Sequence, residues 1–328
     1  MLEENGELNP FERMKLNPKN CFLCGKNLDD SFTREHVFPK WLLNNFDLWN
    51  KSLNLLNRTQ LKYRFLTIPC CQNCNNEHLS KLETIIQNGF YHGFDEFREI
   101  EELYIFQWIS KIFFGILNKE LFLLIDRSNP KDGTIIDSGL ISSFETLHAF
   151  IQTIRSPGKF EIYKPWSIFL VKLKNDQLSF DFDYRDEIDK MFFSIRMGEI
   201  GIIMCMDDNG AIKDYFDDYY NSFIINHVFN HLQFDQLCAQ ICYQKSLLNF
   251  NAKYITLIDE NSFTVVPLPL KGYSTKPLFN EFVLLDYAKY LYSFLKKWDF
   301  EFEDIYKESV LILELIHNND NSFHEFSI

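Results

Sequence analysis

The fold of this chain is decided by three segments, which read 21-CFLC-24, 35-EHVFP-39 and 71-CQNCNNEH-78. They contain two pairs of cysteines at Cys-x-x-Cys spacing, an acid–histidine dipeptide between the pairs, and an asparagine directly after the last cysteine. Each pair presents two sulfur atoms about one turn apart, and Zn2+ takes four such ligands in a tetrahedron. The two pairs therefore predict one structural zinc site, whose ligands are Cys21, Cys24, Cys71 and Cys74.

The remaining four cysteines are interpreted differently. Cys70 directly precedes Cys71, but only Cys71 has the two-residue spacing to Cys74, so Cys70 is expected to be buried or to lie behind the zinc ligands. The cysteines at 205, 238 and 242 are typical of an apolar core. A disulfide framework is typical of small secreted chains, whereas this chain has 328 residues and begins with acidic, polar residues instead of a basic and apolar leader. We therefore expect a cytoplasmic protein.

Length and composition indicate a folded protein of two domains. The chain has 328 residues, of which 46% are hydrophobic and 34 are phenylalanine, so it can bury a substantial core. Its most apolar long stretch, residues 103–117, is shorter than the roughly 20 residues that a membrane-spanning helix needs, and polar side chains interrupt it. No membrane partner is therefore expected.

The net charge of −13 indicates that the protein does not coat nucleic acid along its whole surface. The charge is unevenly distributed, however. Residues 15–81 contain 10 basic and 5 acidic residues, whereas residues 91–328 contain 22 basic and 36 acidic residues, a net charge of −14. The cysteine-rich region is therefore the part suited to approach a phosphate backbone. Its predicted nucleic-acid contacts are Arg34, Lys40, Arg58, Lys62 and Arg64.

The pattern of apolar residues predicts an α+β protein in three parts. Residues 1–15 are an acidic lead-in, residues 16–92 form the cysteine-rich module, and residues 93–328 form a larger mixed α+β domain. Two glycines near residue 90 mark the boundary between the module and this domain. The module is predicted to consist of a strand that Pro39 ends, a second strand and an amphipathic helix, at residues 32–38, 63–68 and 75–88.

In the larger domain, long apolar patterns at helical spacing alternate with shorter runs typical of strands. The predicted helices are 94–124, 143–155, 223–247, 280–298 and 303–317. The predicted strands are 160–173, 178–184, 191–197 and 199–206, with a strand pair within 253–268. This domain contains no second nuclease motif and no phosphate-binding glycine loop. We expect it to bind a regulatory protein, a small-molecule signal or a second copy of the chain, which would make a homodimer.

Four residues of the module are candidate catalytic residues. A histidine such as His36, with an ordinary pKa of about 6.5, can take a proton from water at neutral pH. The carboxylate of Glu35 suits Mg2+ or Mn2+, which prefer oxygen ligands. Neighbouring side chains of a strand point to opposite faces. Near the bend that Pro39 ends, however, one of these two can reach a metal while the other faces substrate. Asn75 and His78 are three residues apart on the predicted helix and share a face, so both can point toward Glu35.

The combined pattern of the two cysteine pairs, Glu35-His36-x-x-Pro39 and the Asn75 that follows the last cysteine resembles the HNH endonucleases, the zinc-knuckle branch of the ββα-metal nucleases. The resemblance covers residues 18–85, about a fifth of the chain. It implies that His36 is the general base that activates a water for in-line attack on phosphorus. It also implies that Glu35 and Asn75 hold one Mg2+ or Mn2+ ion, with His78 completing or supporting that site.

The chain departs from the family pattern at two places. Glu35 stands where the family often has Asp or His, and Leu66, followed by Thr67, stands where its middle Asn usually lies. The resemblance implies a metal-dependent endonuclease, with DNA as the favoured substrate and a bacterial defence or restriction-like role. Two alternatives stay open. One is a zinc-stabilised binding module without catalysis, and the other is an RNA-directed, toxin-like nuclease.

Overall fold

The structure is a computed structural model that describes residues 17, 19–28, 32–121, 123–134, 138–174, 181–260, 262–272, 274–318 and 320–325. The predicted acidic lead-in at residues 1–15 lies outside these ranges. The chain is an α+β protein, as its sequence pattern predicts. Within the described ranges, no helix combines the length and the apolar character that crossing a membrane requires. The chain divides into two compact units: unit 1 comprises Met1–Glu161 and Ile255–Val266, and unit 2 comprises Ile162–Tyr254 and Pro267–Ile328.

Unit 1 begins with two paired strands and the helix that follows them. Strand β1 (Thr33–His36) pairs antiparallel with β4 (Thr67–Cys70). A π-helical turn, Cys74–Leu79, continues directly into helix α2 (Ser80–His92). The short helix α3 (Phe94–Phe97) comes next. Two strands and a helix therefore occur in the predicted order, although the helix opens with a π-helical turn.

The chain between β1 and β4 contributes a helix and a hairpin. Helix α1 (Lys40–Asn45) follows Pro39, and β2 (Ser52–Asn54) pairs antiparallel with β3 (Gln60–Lys62). The second strand of the module begins later than predicted, because Tyr63–Phe65 is a 3-10 turn. This turn lies between the hairpin and β4, and it redirects the chain so that β4 can run alongside β1.

Helix α4 (Glu102–Glu120) is buried around almost its whole circumference. Its Gly115 lies directly against the paired strands: a Cβ atom there would meet Val37 Cγ2 at 3.0 Å and Ile68 Cδ1 at 3.3 Å. The lack of a side chain at this position lets α4 approach the strands closely. Helix α5 (Ser138–Ile151) packs on α4. The strands that carry the site are therefore backed by a buried helix from outside the predicted module.

Compact unit 1 continues through α4 and α5, beyond the boundary that was predicted near residue 93. As the limits of an independently folding module, residues 16–92 stay a prediction. Most residues of a three-stranded sheet also belong to unit 1; in this sheet β11 lies between β10 and β5, and β5 and β11 are parallel. The predicted strand pair within 253–268 is confirmed by β10 and β11. These strands are β5 (Gly158–Phe160), β10 (Tyr254–Ile258) and β11 (Phe263–Pro267).

Unit 2 is built on a four-stranded antiparallel sheet with the strand order β6-β9-β8-β7. Every residue of β8 and β9 is buried. Two long helices, α8 and α9, pack on each other, and their apolar side chains join those of the sheet in one core. The strands are β6 (Trp166–Lys172), β7 (Phe182–Glu187), β8 (Phe192–Met197) and β9 (Ile200–Met206). The helices are α6 (Ala211–Tyr215), α7 (Asp217–Ser222), α8 (His231–Ser246) and α9 (Leu284–Leu295).

The prediction of a helix at residues 303–317 is wrong. Only α10 (Phe302–Ile305) is helical there, and β12 (Tyr306–Lys307) and β13 (Val310–Leu311) then form a two-stranded hairpin. The two residues between these strands have φ values of 52° and 65°. Positive φ at both turn positions matches the twist of a tight hairpin. Apolar residues over so short a stretch do not distinguish a helix from a strand.

Candidate functional site

The four predicted zinc ligands lie close together. The sulfur atoms of Cys21, Cys24, Cys71 and Cys74 are all within 4.8 Å of one another, and those of Cys24 and Cys71 are 3.7 Å apart. Sulfur atoms bound to one tetrahedral zinc ion at about 2.3 Å lie about 3.8 Å from each other. The cluster therefore fits a metal ion such as zinc, with all four cysteines as ligands.

The backbone around the first cysteine pair forms a tight turn that is anchored to β4. Gly25 has a φ of 69°, a conformation that glycine adopts without strain, and its N–H donates to the carbonyl of Cys21 at 2.9 Å. The N–H of Phe22 donates to the carbonyl of Pro69, also at 2.9 Å. The first pair is therefore held beside the end of β4, which leads into the second pair.

Cys70 lies against the cluster as a fifth thiol. It is buried, and its sulfur donates to the backbone carbonyl of Cys71 at 3.5 Å. Hydrogen bonds from the thiols of Cys24, Cys70 and Cys74 hold the pKa of Cys21 well below its usual range. The hydrogen bond to Cys21 is also the main reason why the pKa values of Cys70 and Cys74 are raised. These shared hydrogen bonds therefore favour a thiolate within the cluster, and a thiolate attracts a cation.

Two buried polar residues, one near the end of α5 and one directly after it, bind the backbone of the first cysteine pair. The imidazole Nε2 of His148 donates to the carbonyl of Phe22 at 2.9 Å, and the amide of Gln152 donates to the carbonyl of Leu23 at 2.8 Å. Burial lowers the pKa of His148 to about 4, so the ring is neutral at pH 7. These two residues were not among the predicted site residues. Their four-residue spacing on an apolar helix face was the available signal, but their partners lie more than 120 residues away.

Glu35 is bound by a lysine from α4. Its side chain is nearly buried, and its Oε1 lies 2.5 Å from the Nζ of the fully buried Lys111. The same Nζ lies 3.0 Å from Glu83 Oε1 and donates to the carbonyls of His36, at 2.8 Å, and Val37, at 3.2 Å. Burial lowers the pKa of Lys111, but the two carboxylates outweigh it and raise the pKa above its ordinary value. The carboxylate predicted to bind a divalent cation is therefore engaged by an ammonium group.

His36 ends β1 and points to the face opposite Glu35. Its ring is half-buried and packs edge-on against Trp49, with the ring centroids 5.7 Å apart. Burial, followed by the charge of Lys40, lowers the pKa of His36, while the negative charge of Glu35 acts in the opposite direction. The ring is therefore neutral at pH 7. A neutral imidazole keeps one nitrogen as a proton acceptor.

Asn75 and His78 lie on the π-helical turn, and both are partly exposed. Asn75 Nδ2 donates to Thr33 Oγ1 at 3.1 Å. Thr33 and Glu35 share a face of β1, so Asn75 contacts the strand on the Glu35 face. Burial and the positive charge of Arg155 lower the pKa of His78. Because the turn is π-helical, residues three apart do not share a face as they would in an α-helix.

The basic side chains predicted to contact nucleic acid reach the surface of unit 1. Arg34 shares a face of β1 with His36 and lies over the ring of Phe32, 5.9 Å from its centroid. Arg64 is partly exposed and donates to Asn50 Oδ1 at 2.7 Å. The exposed members of the set are Arg34, Lys40, Arg58 and Lys62.

No protein-family model, curated protein or solved structure matches this chain. A functional conclusion therefore depends on the geometry of unit 1 itself. That geometry comprises a four-cysteine cluster that fits a metal, a neutral histidine at the end of a strand, and a buried lysine between two glutamates.

Proposed function

We propose that this chain is a nucleic-acid phosphodiesterase of the HNH endonuclease type, with DNA as its substrate and His36 as its general base. The observation that carries the proposal is the setting of His36. Its half-buried ring ends β1 in contact with Trp49, and exposed basic side chains lie on the same strand face and just beyond it. The nearby four-cysteine cluster also supports the proposal, because it joins the two strands to the helix as a structural zinc site would.

In the proposed mechanism, His36 activates a water molecule. The ring of His36 accepts a proton from the water as the water attacks phosphorus in line, the bond from phosphorus to the leaving oxygen breaks, and that oxygen takes up a proton from bulk water. Contact with Trp49 restricts the orientation of the ring. Arg34 and Lys40 supply positive charge to the phosphodiester, which carries one negative charge per phosphate.

The role of zinc in this proposal is structural. Cys21, Cys24, Cys71 and Cys74 would hold the ion, which supplies folding energy when bound. Cys71 follows β4 and Cys74 begins the π-helical turn. Zinc at this point would therefore keep the turn that carries Asn75 in place against the paired strands.

A catalytic Mg2+ or Mn2+ held by Glu35, Asn75 and His78 stays a prediction, and these side chains do not fit such an ion as they are arranged. The carboxylate of Glu35 is 2.5 Å from the ammonium of Lys111. His78 has the positive charge of Arg155 beside it. Like charges oppose the binding of a further cation. No step of the proposed reaction is therefore assigned to a divalent cation.

The experiment that tests the proposal is cleavage of supercoiled plasmid by the zinc-loaded full chain, with Mg2+, with Mn2+ and without added divalent cation. His36→Ala should lower the cleavage rate by about 10^2- to 10^4-fold, as expected for loss of a general base. His92→Ala is the matched control, because His92 is an exposed histidine at the end of α2. Zinc content and thermal unfolding are measured for both variants. Equal cleavage by the two variants would rule out His36 as the base.

A zinc-stabilised binding module without catalysis is the second candidate, and the ion pair between Glu35 and Lys111 favours it. If the acid–histidine dipeptide has a structural role, its carboxylate is expected to form an ion pair of this kind. Fluorescence anisotropy and gel assays with labelled DNA and RNA, both single- and double-stranded, separate the candidates. Binding without cleavage, equal in wild type and His36→Ala, would favour the module. Cleavage of RNA alone would favour the RNA-directed, toxin-like nuclease.

The rest of the chain is proposed to control or target the site. Residues 91–328 have a net charge of −14, which supports the binding of something other than nucleic acid. A regulatory protein, a small-molecule signal and a second copy of the chain are the proposed partners, and the proposed setting is bacterial defence in the cytoplasm. Light scattering over a concentration series tests for a homodimer, which would double the mass expected from the 39.2 kDa chain.

A further inference from the structure

Four oxygen atoms surround the ammonium group of Lys111. Two are carboxylate oxygens, from Glu35 at 2.5 Å and Glu83 at 3.0 Å. The other two are the backbone carbonyls of His36, at 2.8 Å, and Val37, at 3.2 Å. Carboxylate and carbonyl oxygens are the donors that Mg2+ and Mn2+ prefer. The ammonium therefore lies where a hard cation would find its ligands.

Charge and burial indicate that this site needs a cation. Two carboxylates face one ammonium, and the side chain of Lys111 is fully buried. An uncompensated carboxylate in such a place is strongly unfavourable. Lys111 reaches the site from the middle of α4, a helix that is buried on nearly all sides and that Gly115 brings close to the strands. The ammonium is therefore delivered to the carboxylates by a rigid element.

We propose that the ammonium of Lys111 is the built-in cation of this site, which occupies the cation position at Glu35 and so keeps divalent metal ions from binding there. Glu35 is then a partner of Lys111 and not a ligand of Mg2+ or Mn2+. Lys111 also holds the backbone at the end of β1, where the side chain of His36 begins. The inference concerns the site of the proposed nuclease, and only its importance for catalysis rests on that proposed function. Its test measures metal binding and requires no cleavage.

The test is titration of Mn2+ alone into the zinc-loaded full chain, followed by electron paramagnetic resonance and calorimetry. Wild type and Glu35→Gln should bind Mn2+ equally. Lys111→Met should gain one Mn2+ site, at least about tenfold tighter than any in wild type, because two carboxylates and two carbonyls are vacated together. Adding Glu35→Gln to Lys111→Met should abolish that site. Lys119→Met, on the same helix and partly exposed, is the matched control and should gain none.

Two results would overturn the inference. One is a wild-type Mn2+ site that Glu35→Gln weakens by about tenfold or more, the usual effect of losing an interaction at a metal site. The other is a folded Lys111→Met protein that gains no Mn2+ site. If Lys111→Met does not fold, the comparison of wild type with Glu35→Gln still decides the question. Loss of cleavage in His36→Ala tests the proposed function separately, so failure of one proposal is distinguishable from failure of the other.

Discussion

The side-chain amide of Asn75 donates a hydrogen bond to Thr33 Oγ1 at 3.1 Å, and the hydroxyl of Thr33 donates in turn to the carbonyl of Cys70 at 2.9 Å. A threonine hydroxyl has one proton, and because Cys70 receives it, the amide nitrogen of Asn75 must be the group that faces Thr33. This relay joins the turn after the second cysteine pair to both paired strands. It also leaves the amide oxygen of Asn75 as the atom that can accept from, or bind, another group.

Thr33→Val tests this relay, because valine keeps the shape of threonine and removes the hydroxyl. The variant should lose about 1–2 kcal/mol of unfolding free energy, since the Asn75 amide and the Cys70 carbonyl lose a partner. Thr33→Ser keeps the hydroxyl and is the control, and it should lose less unfolding free energy than Thr33→Val. Urea denaturation of the zinc-loaded proteins measures the difference. Equal stability of the two variants would mean that the relay contributes nothing.

Cys74→Ser should abolish stoichiometric zinc binding. Cys74 is a buried member of the four-cysteine cluster, and structural zinc contributes directly to folding free energy. The melting temperature should fall by roughly 10 °C or more. Cys242→Ser replaces a buried cysteine of α8 outside the cluster and should keep the wild-type zinc content. Elemental analysis of both variants provides the measurement, and full zinc content in Cys74→Ser would contradict the four-cysteine site.

Gln152→Leu should speed the loss of zinc to a chelator by about tenfold. The substitution leaves the buried carbonyl of Leu23 without the donor that now lies 2.8 Å away, at a cost of about 1–3 kcal/mol. Because Leu23 lies between two zinc ligands, the cost should appear as a looser site. Glu145→Ala, at an exposed position of α5, is the control. A colorimetric zinc-transfer assay compares the rates, and unchanged transfer would show that the contact does not support the cluster.

Lys40→Gln combined with Lys62→Gln should weaken nucleic-acid binding and make it less sensitive to salt. Both side chains are exposed. Each phosphate contact that is lost should reduce the slope of log affinity against log salt by about one unit. Lys81→Gln combined with Arg98→Gln is the control, because both of these basic side chains pair with neighbouring glutamates. Anisotropy titrations with a DNA duplex at several salt concentrations give the slopes, which should stay at the wild-type value in the control.

Asp186→Asn should stabilise unit 2 at pH 7 to 8 but not at pH 4. Burial raises the pKa of Asp186 from 3.8 to about 6, so the folded protein binds its proton more tightly than the unfolded chain does. The stability that this proton provides is fully present below the unfolded pKa and is lost as the pH rises through about 6. Because asparagine carries no charge, the unfolding free energy of Asp186→Asn should exceed that of wild type by about 1–3 kcal/mol at pH 7 to 8. Asp189→Asn, at a side chain 70% exposed, is the control. Chemical denaturation across this pH range measures both.

Several features of the site could be predicted from residue spacing alone. The two Cys-x-x-Cys pairs predicted the four-cysteine cluster, because the separation of cysteines within a pair limits where their sulfur atoms can lie. Pro39 predicted that the first strand ends at Phe38, whereas β1 ends two residues earlier, at His36. Residues 303–317 were misjudged, because a tight hairpin and a short helix give similar spacings of apolar residues.

The local pattern of the chain was enough to predict its α+β class and its cysteine cluster, because those properties depend on spacing within short segments. The partners of Glu35 and of the first cysteine pair were decided by tertiary structure. Lys111 donates a hydrogen bond to the carbonyl of His36, which is 75 residues away in the sequence. His148 donates to the carbonyl of Phe22, which is 126 residues away. No local signal predicts which buried lysine or histidine will reach a given backbone atom. Such contacts arise only when α4 and α5 pack against the strands and a buried polar group must find a partner.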